Sequence, residues 1–482
     1  MKKTTLIITS ILFITSIVFP QTKVNKNNLV QYGDKWFKEN DDKPFTGIVF
    51  DMSKETGNKI LESKYVKGLP HGNHIEWYNN GKKKVEGKYK SGMMNGYWEF
   101  YFDNGNIKVE GSYSNGNGEK IDNETGIPRN GMDGKWIFYY QNGKKNSEGT
   151  YKDGKEDGLK TIWDENGNKR EEVTYKDDQL DGKVKSYYEN GQKSGEGTYK
   201  DGKRDGLWTW WFENGQKKDK ETYKDGKQDG LWTQWFENGQ KKEEGTLKDD
   251  KQDSLWTFWY ENGQISSKGS WIVGKRDGII TRWYENGQKK NEMTYKNGEL
   301  DGLKTTWDEN GQKKSKETYK SGELVRSNTY WDENGQKMEE VTYKDGQVDG
   351  KYTFWYENGN KKEEGINKGV DYKGNPTKDG KWTYWSPDGK ESSELIYRDG
   401  NPWVGKLTER YDNGNKKKEG TYKNGEKIGK WTSWWKNGQK RTEGTYDHVQ
   451  DGIWTYWSPD GKESSEIIYN TYGEGDGLLV LW

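Results

Sequence analysis

The sequence predicts an all-β protein: an elongated, single-layer antiparallel meander of 24-residue β-hairpin repeats, left open at its ends. Three observations lead there. The Gly of an Asn-Gly pair returns every 24 residues, without a slip, from Gly143 to Gly359. A fixed period of this kind marks a repeat architecture and overrides the several globular domains that 482 residues would otherwise suggest. Large rings recur at fixed places within the period, among β-branched and polar residues. Gly and Asn return too often for a helix to run beyond about ten residues.

Each element follows from one repeat, numbered with Asp205 as position 1 and Gln228 as position 24. Positions 3–8, "LWTWWF", are rich in aromatic and β-branched types and form the first strand. Asn214-Gly215 predicts a two-residue type I′ turn, which needs φ > 0 at both residues. Positions 12–20, "QKKDKETYK", form the return strand. "KDGKQDG" predicts a longer Asp-Gly turn into the next hairpin. Such a turn sets a register in which paired positions sum to 21. Position 7 then faces the Lys of position 14, whose ammonium can lie over the ring. Position 4 faces position 17, which pairs Trp98 with Gly111, Trp136 with Gly149, Trp232 with Gly245, Trp256 with Gly269 and Trp431 with Gly444. Lys304 then faces Glu317.

Alternation assigns the faces. Position 7 is Trp in twelve of the sixteen repeats from Gly81 onward, so this ring column is expected to hold the sheet together. Positions 4, 6 and 8 lie on the opposite face and vary. Trp208, Trp210, Phe212, Trp232, Phe236, Trp256, Phe258 and Tyr260 cluster there in three consecutive repeats. They are the candidate binding residues, read as an exposed aromatic patch. The competing reading is that these rings only cover a one-layer sheet.

Composition narrows the function. Hydrophobic residues make up 28% and charged residues 33%, a balance that usually means disorder, but 15% are aromatic and placed periodically. The formal net charge is zero, so no basic surface steers the chain to nucleic acid. There is no Cys, and the three His are His71, His74 and His448. His71 and His74 are read as a loop pair rather than a metal site. Carboxylates recur in every repeat, whereas an active site is singular, so no enzyme, cofactor or metal is expected. Residues 1–20 read as a secretory signal peptide: "MKK", an apolar run from Leu6 to Phe19, then "PQTK". The chain is expected to be exported to the periplasm, cell surface or medium, with no transmembrane anchor. Residues 21–45 form a lead-in, and 46–482 the repeats, with insertions near 114–133 and 367–379.

The stretch "KPFTGIVFDMSKETGNKILESKYVKGLPHG", residues 43–72, resembles the opening unit of the MORN-repeat variant found in bacterial YwqK-like proteins. Pro44, Phe45, Thr46, Gly47, Gly57, Tyr65, Gly68, His71 and Gly72 carry the match. "EGTYKDGKRDGLW", residues 196–208, keeps its Gly-x-Tyr rhythm. The resemblance implies a β-hairpin array that acts as a scaffold or protein-interaction surface, with an antitoxin or immunity role for YwqK-like members. An export signal and so many repeats depart from a small antitoxin. The hairpins also faintly resemble choline- and glucan-binding repeats, which implies a cell-wall or carbohydrate binding module as a further alternative. The expected partner is a protein or cell-envelope component.

Overall fold

The computed structural model describes residues 22–123, 125–371, 376–411, 413–469 and 480–481. The expected signal peptide lies outside them. The fold is all-β, an open antiparallel meander of hairpin repeats. Among the described residues there is no α-helix, only a 3₁₀ turn at Lys26–Asn28. The chain divides into two compact units, residues 1–227 and 228–482. In the first unit Lys23–Asn25 pairs parallel to Gly47–Met52, beside a small hairpin of Leu29–Tyr32 and Lys35–Lys38. From Gly47–Met52 to Lys217–Lys224 each strand then pairs antiparallel with the next. The second unit repeats the plan from Gly230–Trp235 to Glu463–Tyr469.

The two turns exchange the types expected of them. At "FENG" the Gly215 N–H donates to the Phe212 carbonyl, and the Phe212 N–H to the Gln216 carbonyl. Gly215 has φ +83°, while Asn214 is not left-handed. This is a type I turn closed by a left-handed Gly, the three-residue hairpin loop. Pro387 and Pro459 stand one place before the turn's Asp and fit it, since Pro is favoured at the second residue of a type I turn. The true type I′ turn is the other one: Asn297 and Gly298, at φ +52° and +97°, join Lys289–Lys296 to Glu299–Trp307. The longer loop adds one residue to the hairpin. The sum-21 register holds from Gly206↔Tyr223 to Trp210↔Asp219, then Trp211 pairs with Lys217 across a bulge. Position 7 therefore meets position 13, not 14. The expected cation–π contact forms, but from the preceding repeat: Lys193 lies 4.8 Å from the Trp211 ring and Lys241 5.6 Å from Trp259.

A prediction follows for the turns. Changing Asn297-Gly298 to Ala-Ala forces two left-handed residues that resist it, at about 2 kcal/mol or more. Asn238→Ala removes only a cap on the Gln240 N–H and a bond to the Glu261 carbonyl, both 2.9 Å, for about 1 kcal/mol. Hydrogen exchange of the two hairpins should show the first frayed well beyond the second. The reverse order would contradict the turn assignment.

The core sits on the face expected to be exposed. Trp98, Trp136, Trp256 and Trp382, all at position 4, are 0–1% exposed. The constant Trp of position 7 is only half-buried, as at Trp211, Trp259 and Trp283. The predicted position 4 to 17 pairs form, Trp98↔Gly111 and Trp256↔Gly269 among them. The ring, however, turns back over the Gly of the preceding repeat. A Cβ on Gly87, Gly111, Gly197, Gly245, Gly365, Gly420 or Gly444 would lie under 3.0 Å from the indoles of Trp98, Trp136, Trp208, Trp256, Trp382, Trp431 and Trp454 respectively. The reason lies in the ladder, which breaks opposite each such Gly, as between Glu244 and Thr246. The indole N–H of Trp256 donates there to the Thr246 carbonyl at 3.0 Å, and that of Trp208 to Thr198 at 3.1 Å. A buried N–H needs such a partner. The Tyr of position 19 closes the ring edge-on, as Tyr199 does on Trp208 at 5.1 Å.

Candidate functional site

The eight aromatic candidates are packing residues more than a patch. Trp208 and Trp256 are buried, at 5% and 1% exposure. Trp210 stacks on Trp208 at 5.5 Å, and Phe258 on Trp256 at 6.0 Å. Trp232 is half-buried and tilts against Trp256 at 5.3 Å; the repeat before it carries Glu221 rather than Gly at position 17. Phe212, Phe236 and Tyr260 are half-buried at the turns, where the Tyr260 hydroxyl donates to the Trp283 carbonyl at 2.7 Å. The structure thus brings Trp208 and Trp210 together in one unit, and Trp232, Trp256 and Phe258 in the other. It does not expose them as one surface. Position-17 glycines remove the volume that would otherwise push these rings into solvent.

What is exposed lies across the sheet, at position 3. In the second unit Leu231, Leu255, Ile279 and Leu303 are 41–58% exposed in four consecutive repeats. Each pairs with a small hydroxyl residue of position 18: Thr246, Ser270, Thr294 and Thr318. They share their face with the Thr of position 5, buried at Thr233 and Thr305, and with position 16, where Glu244 accepts from Thr233 at 3.4 Å. Sequence reasoning missed this stripe, although four successive aliphatics at one position were its signal. Position 3 then changes character: Ser327 is followed by Lys351, Lys381, Lys406 and Lys430. These lysines reinforce the Lys–Glu ladder. Glu443 is held by Lys440 at 2.7 Å and Lys430 at 2.9 Å, with Thr432 donating at 3.1 Å. Burial pushes its pKa up, but these donors outweigh it and hold the carboxyl at about 2.

Among the described residues, two of the cavities open on the ring face near a break in the period. The first unit has one of about 420 Å³. The insertion walls it: Ile121 bridges to Pro128, and Ile127 is 2% exposed in a cluster with Met132 and Trp136. Lys108 donates to the Thr125 carbonyl at 2.7 Å, and Arg129 pairs with Asp178 at 2.7 Å. On the far side Lys160 pairs with Glu156 at 2.6 Å, and the Tyr151 hydroxyl donates to Glu156 at 3.1 Å. Burial pushes the neighbouring Glu171 carboxyl up, against the pull of Lys160. The second unit has a cavity of about 370 Å³, in which Lys378 pairs with Glu363 at 2.6 Å and the Tyr384 and Tyr397 hydroxyls share a 2.7 Å bond.

The histidines are not a loop pair. His71 and His74 lie in the strand Leu69–Trp77, where His74 is buried edge-on to Tyr89 at 5.1 Å. Its bond to Glu76 is the first cause that holds that carboxyl at about 2, and Lys84 adds to it. Among the described residues no group of three or more His, Cys, Asp or Glu is placed to hold a metal ion.

The MORN repeat variant matches fourteen stretches: 70–91, 94–115, 132–153, 156–177, 180–201, 204–225, 228–249, 252–272, 276–297, 300–321, 328–345, 348–366, 403–424 and 427–448. No curated protein matches the chain. Among solved structures, TcdB2-TccC3 is 12% identical, over 91% of this chain and 27% of that one, with a TM-score of 0.15. The TcdB2-TccC3-TEV structure is 10% identical, over 90% and 25%, also at 0.15. The pore of the Photorhabdus luminescens Tc holotoxin, with the TccC3 mutation D651A, is 9% identical, over 87% and 27%, at 0.13. This chain spans about a quarter of the length of those chains, and superpositions this loose carry no argument. The fourteen repeat matches cover more than half of the residues, and with the hairpins of both units they show that the chain belongs to the MORN repeat variant family.

Proposed function

We propose that the protein is an exported, non-enzymatic scaffold that binds a protein partner through position 3 of its second unit. The observation that carries this reading is the stripe of Leu231, Leu255, Ile279 and Leu303. Regular apolar exposure across four repeats is not needed for folding, and exposed apolar patches mark binding surfaces. The lysines that replace the aliphatics from Lys351 to Lys430 define the partner further. It carries an apolar ridge continued by carboxylates, which share these exposed lysines with Glu364, Glu394, Glu419 and Glu443, their partners within the sheet. Of the residues that resemble YwqK-like proteins, Phe45, Gly47 and Gly68 pack the first repeats. A Cβ on Gly47 would run into the Thr22 carbonyl, and one on Gly68 would come within 2.8 Å of Lys35. These contacts support the shared fold.

The test is a pull-down from the envelope of the producing cell, with wild type and the triple substitution Leu231→Lys, Leu255→Lys, Ile279→Lys. The partner should be lost from the triple variant. Lys351→Glu with Lys406→Glu should weaken its capture, most at low salt. Stability should change by no more than about 0.5 kcal/mol per exposed site. Equal capture by all three proteins would remove the stripe from consideration.

A further inference from the structure

We propose that the cavity of the first unit binds a neutral, polyhydroxylated ring of the size of a single sugar. The repeat has a packing rule of its own. Nine repeats carry Gly at position 17. Over eight of them a Trp or Ile of the next repeat comes so close that a Cβ would lie under 3.0 Å from it. Gly149 is the exception. Its Cβ would meet the Lys160 stem at 3.5 Å and the Tyr151 ring at 3.7 Å, both ordinary contacts. Lysine thus stands where the rule places an indole, and space remains between Tyr151, Ile162 and Phe138. The insertion, unique in the unit, bends back to wall this same space with Asp122, Thr125 and Arg129. A missing ring and an added wall at one spot build a site, and about 420 Å³ lies within the usual range for small ligands.

The lining selects the ligand. Phe138, Ile162 and the Tyr151 ring offer an apolar floor for the C–H face of a saturated ring. The charges around it are balanced: Lys160 pairs with Glu156 and Arg129 with Asp178, while Lys108, which donates to the Thr125 carbonyl, is offset by the Asp122 carboxylate. The Asp122 carboxylate accepts from the Thr125 N–H and hydroxyl at 2.8 and 2.9 Å. A charged ligand would upset this balance. A neutral polyol keeps it and uses the remaining lone pairs and N–H groups, donating to the carboxylates and accepting from the cations. Adjacent donor and acceptor groups suit neighbouring hydroxyls on one ring.

Saturation-transfer NMR on the full chain tests this with methyl α-glucopyranoside, N-acetylglucosamine and myo-inositol, and with gluconate and indole as controls. At least one neutral polyol should receive saturation from aromatic protons of the wild type. Lys160→Trp restores the ring the rule calls for and fills the cavity. It should abolish the transfer while the melting temperature holds or rises. Lys160→Met keeps the stem over Gly149 but removes the charged donor, and should weaken binding about tenfold, the cost of one charge-assisted hydrogen bond. If Lys160→Trp misfolds, the Met variant alone decides: affinity unchanged from wild type overturns the site. Transfer that survives in a folded Lys160→Trp overturns it too, as does the absence of transfer to all three polyols. Preferential binding of gluconate or indole would overturn the ligand class.

Discussion

Replacing Trp256 by Ala should cost about 4 kcal/mol, within the range for a large ring removed from a core. Trp256 is 1% exposed, stacks on Phe258, tilts against Trp232 and donates its N–H to the Thr246 carbonyl at 3.0 Å. Its loss leaves a cavity and a freed carbonyl together. Trp259 stands three residues on and belongs to the more regular ring column, yet Trp259→Ala should cost about half as much. That ring is half-buried, and its ammonium neighbour Lys241 contributes only about 0.5–1 kcal/mol at an exposed site. Urea unfolding of both variants, followed by hydrogen exchange of the strand Lys251–Trp259, measures the difference. Equal costs, or a larger cost for Trp259, would overturn the assignment of the core to position 4.

Gly245→Val should be the more damaging change. A Cβ there would lie inside the contact distance of the Trp256 ring, and the atoms it meets belong to a buried indole that has no room to move. Overpacking of this kind costs about 1–3 kcal/mol even where neighbours adjust, and expelling the indole adds the cost of losing its burial. The chain itself contains the remedy. Val173 at position 17 is followed by Val184 at position 4, both buried and packed in one cluster. The double variant Gly245→Val, Trp256→Val should therefore be more stable than Gly245→Val alone, although it carries one more substitution. Such coupling is the mark of two side chains that share one volume. If the two effects simply add, the ring does not lie over that Gly.

The period, the strand order and most of the register were legible in the sequence. They depend on turn residues and alternation, which are local. The faces were read the wrong way round because regularity was taken for burial. Position 7 is Trp in twelve of sixteen repeats, since there the ring accepts a Lys from the repeat before it and needs nothing else. Position 4 varies between Trp208, Val184 and Lys160, since its size must fit whatever occupies position 17 of another repeat. A buried position can therefore look variable. The turn types were exchanged for a similar reason: Asn-Gly suits two different loops. Pro387 and Pro459, rather than the Asn-Gly itself, decide between them. The exposed stripe at position 3 could have been found from four aliphatics in succession, but the large rings beside it dominated the reading. The cavity in the first unit was out of reach, because it needs the path of an insertion that no periodicity describes.

The pairing of a position-4 Trp with a Gly of the repeat before it also constrains how such a gene can grow. Repeats of this kind are copied and deleted by unequal crossing-over between similar stretches of DNA. A break within the Asp-Gly turn separates position 17 from the following position 4, and so joins a Gly made for an indole to a side chain that was never matched to it. A break within the Asn-Gly turn keeps every such couple intact, because both members lie between one Asn-Gly and the next. The heritable module is then out of phase with the hairpin: it begins at one Asn-Gly, carries its lock and its key across the tight turn, and ends at the next. Lengthening by that module leaves every core contact formed, whereas lengthening by whole hairpins would have to repair one at each junction.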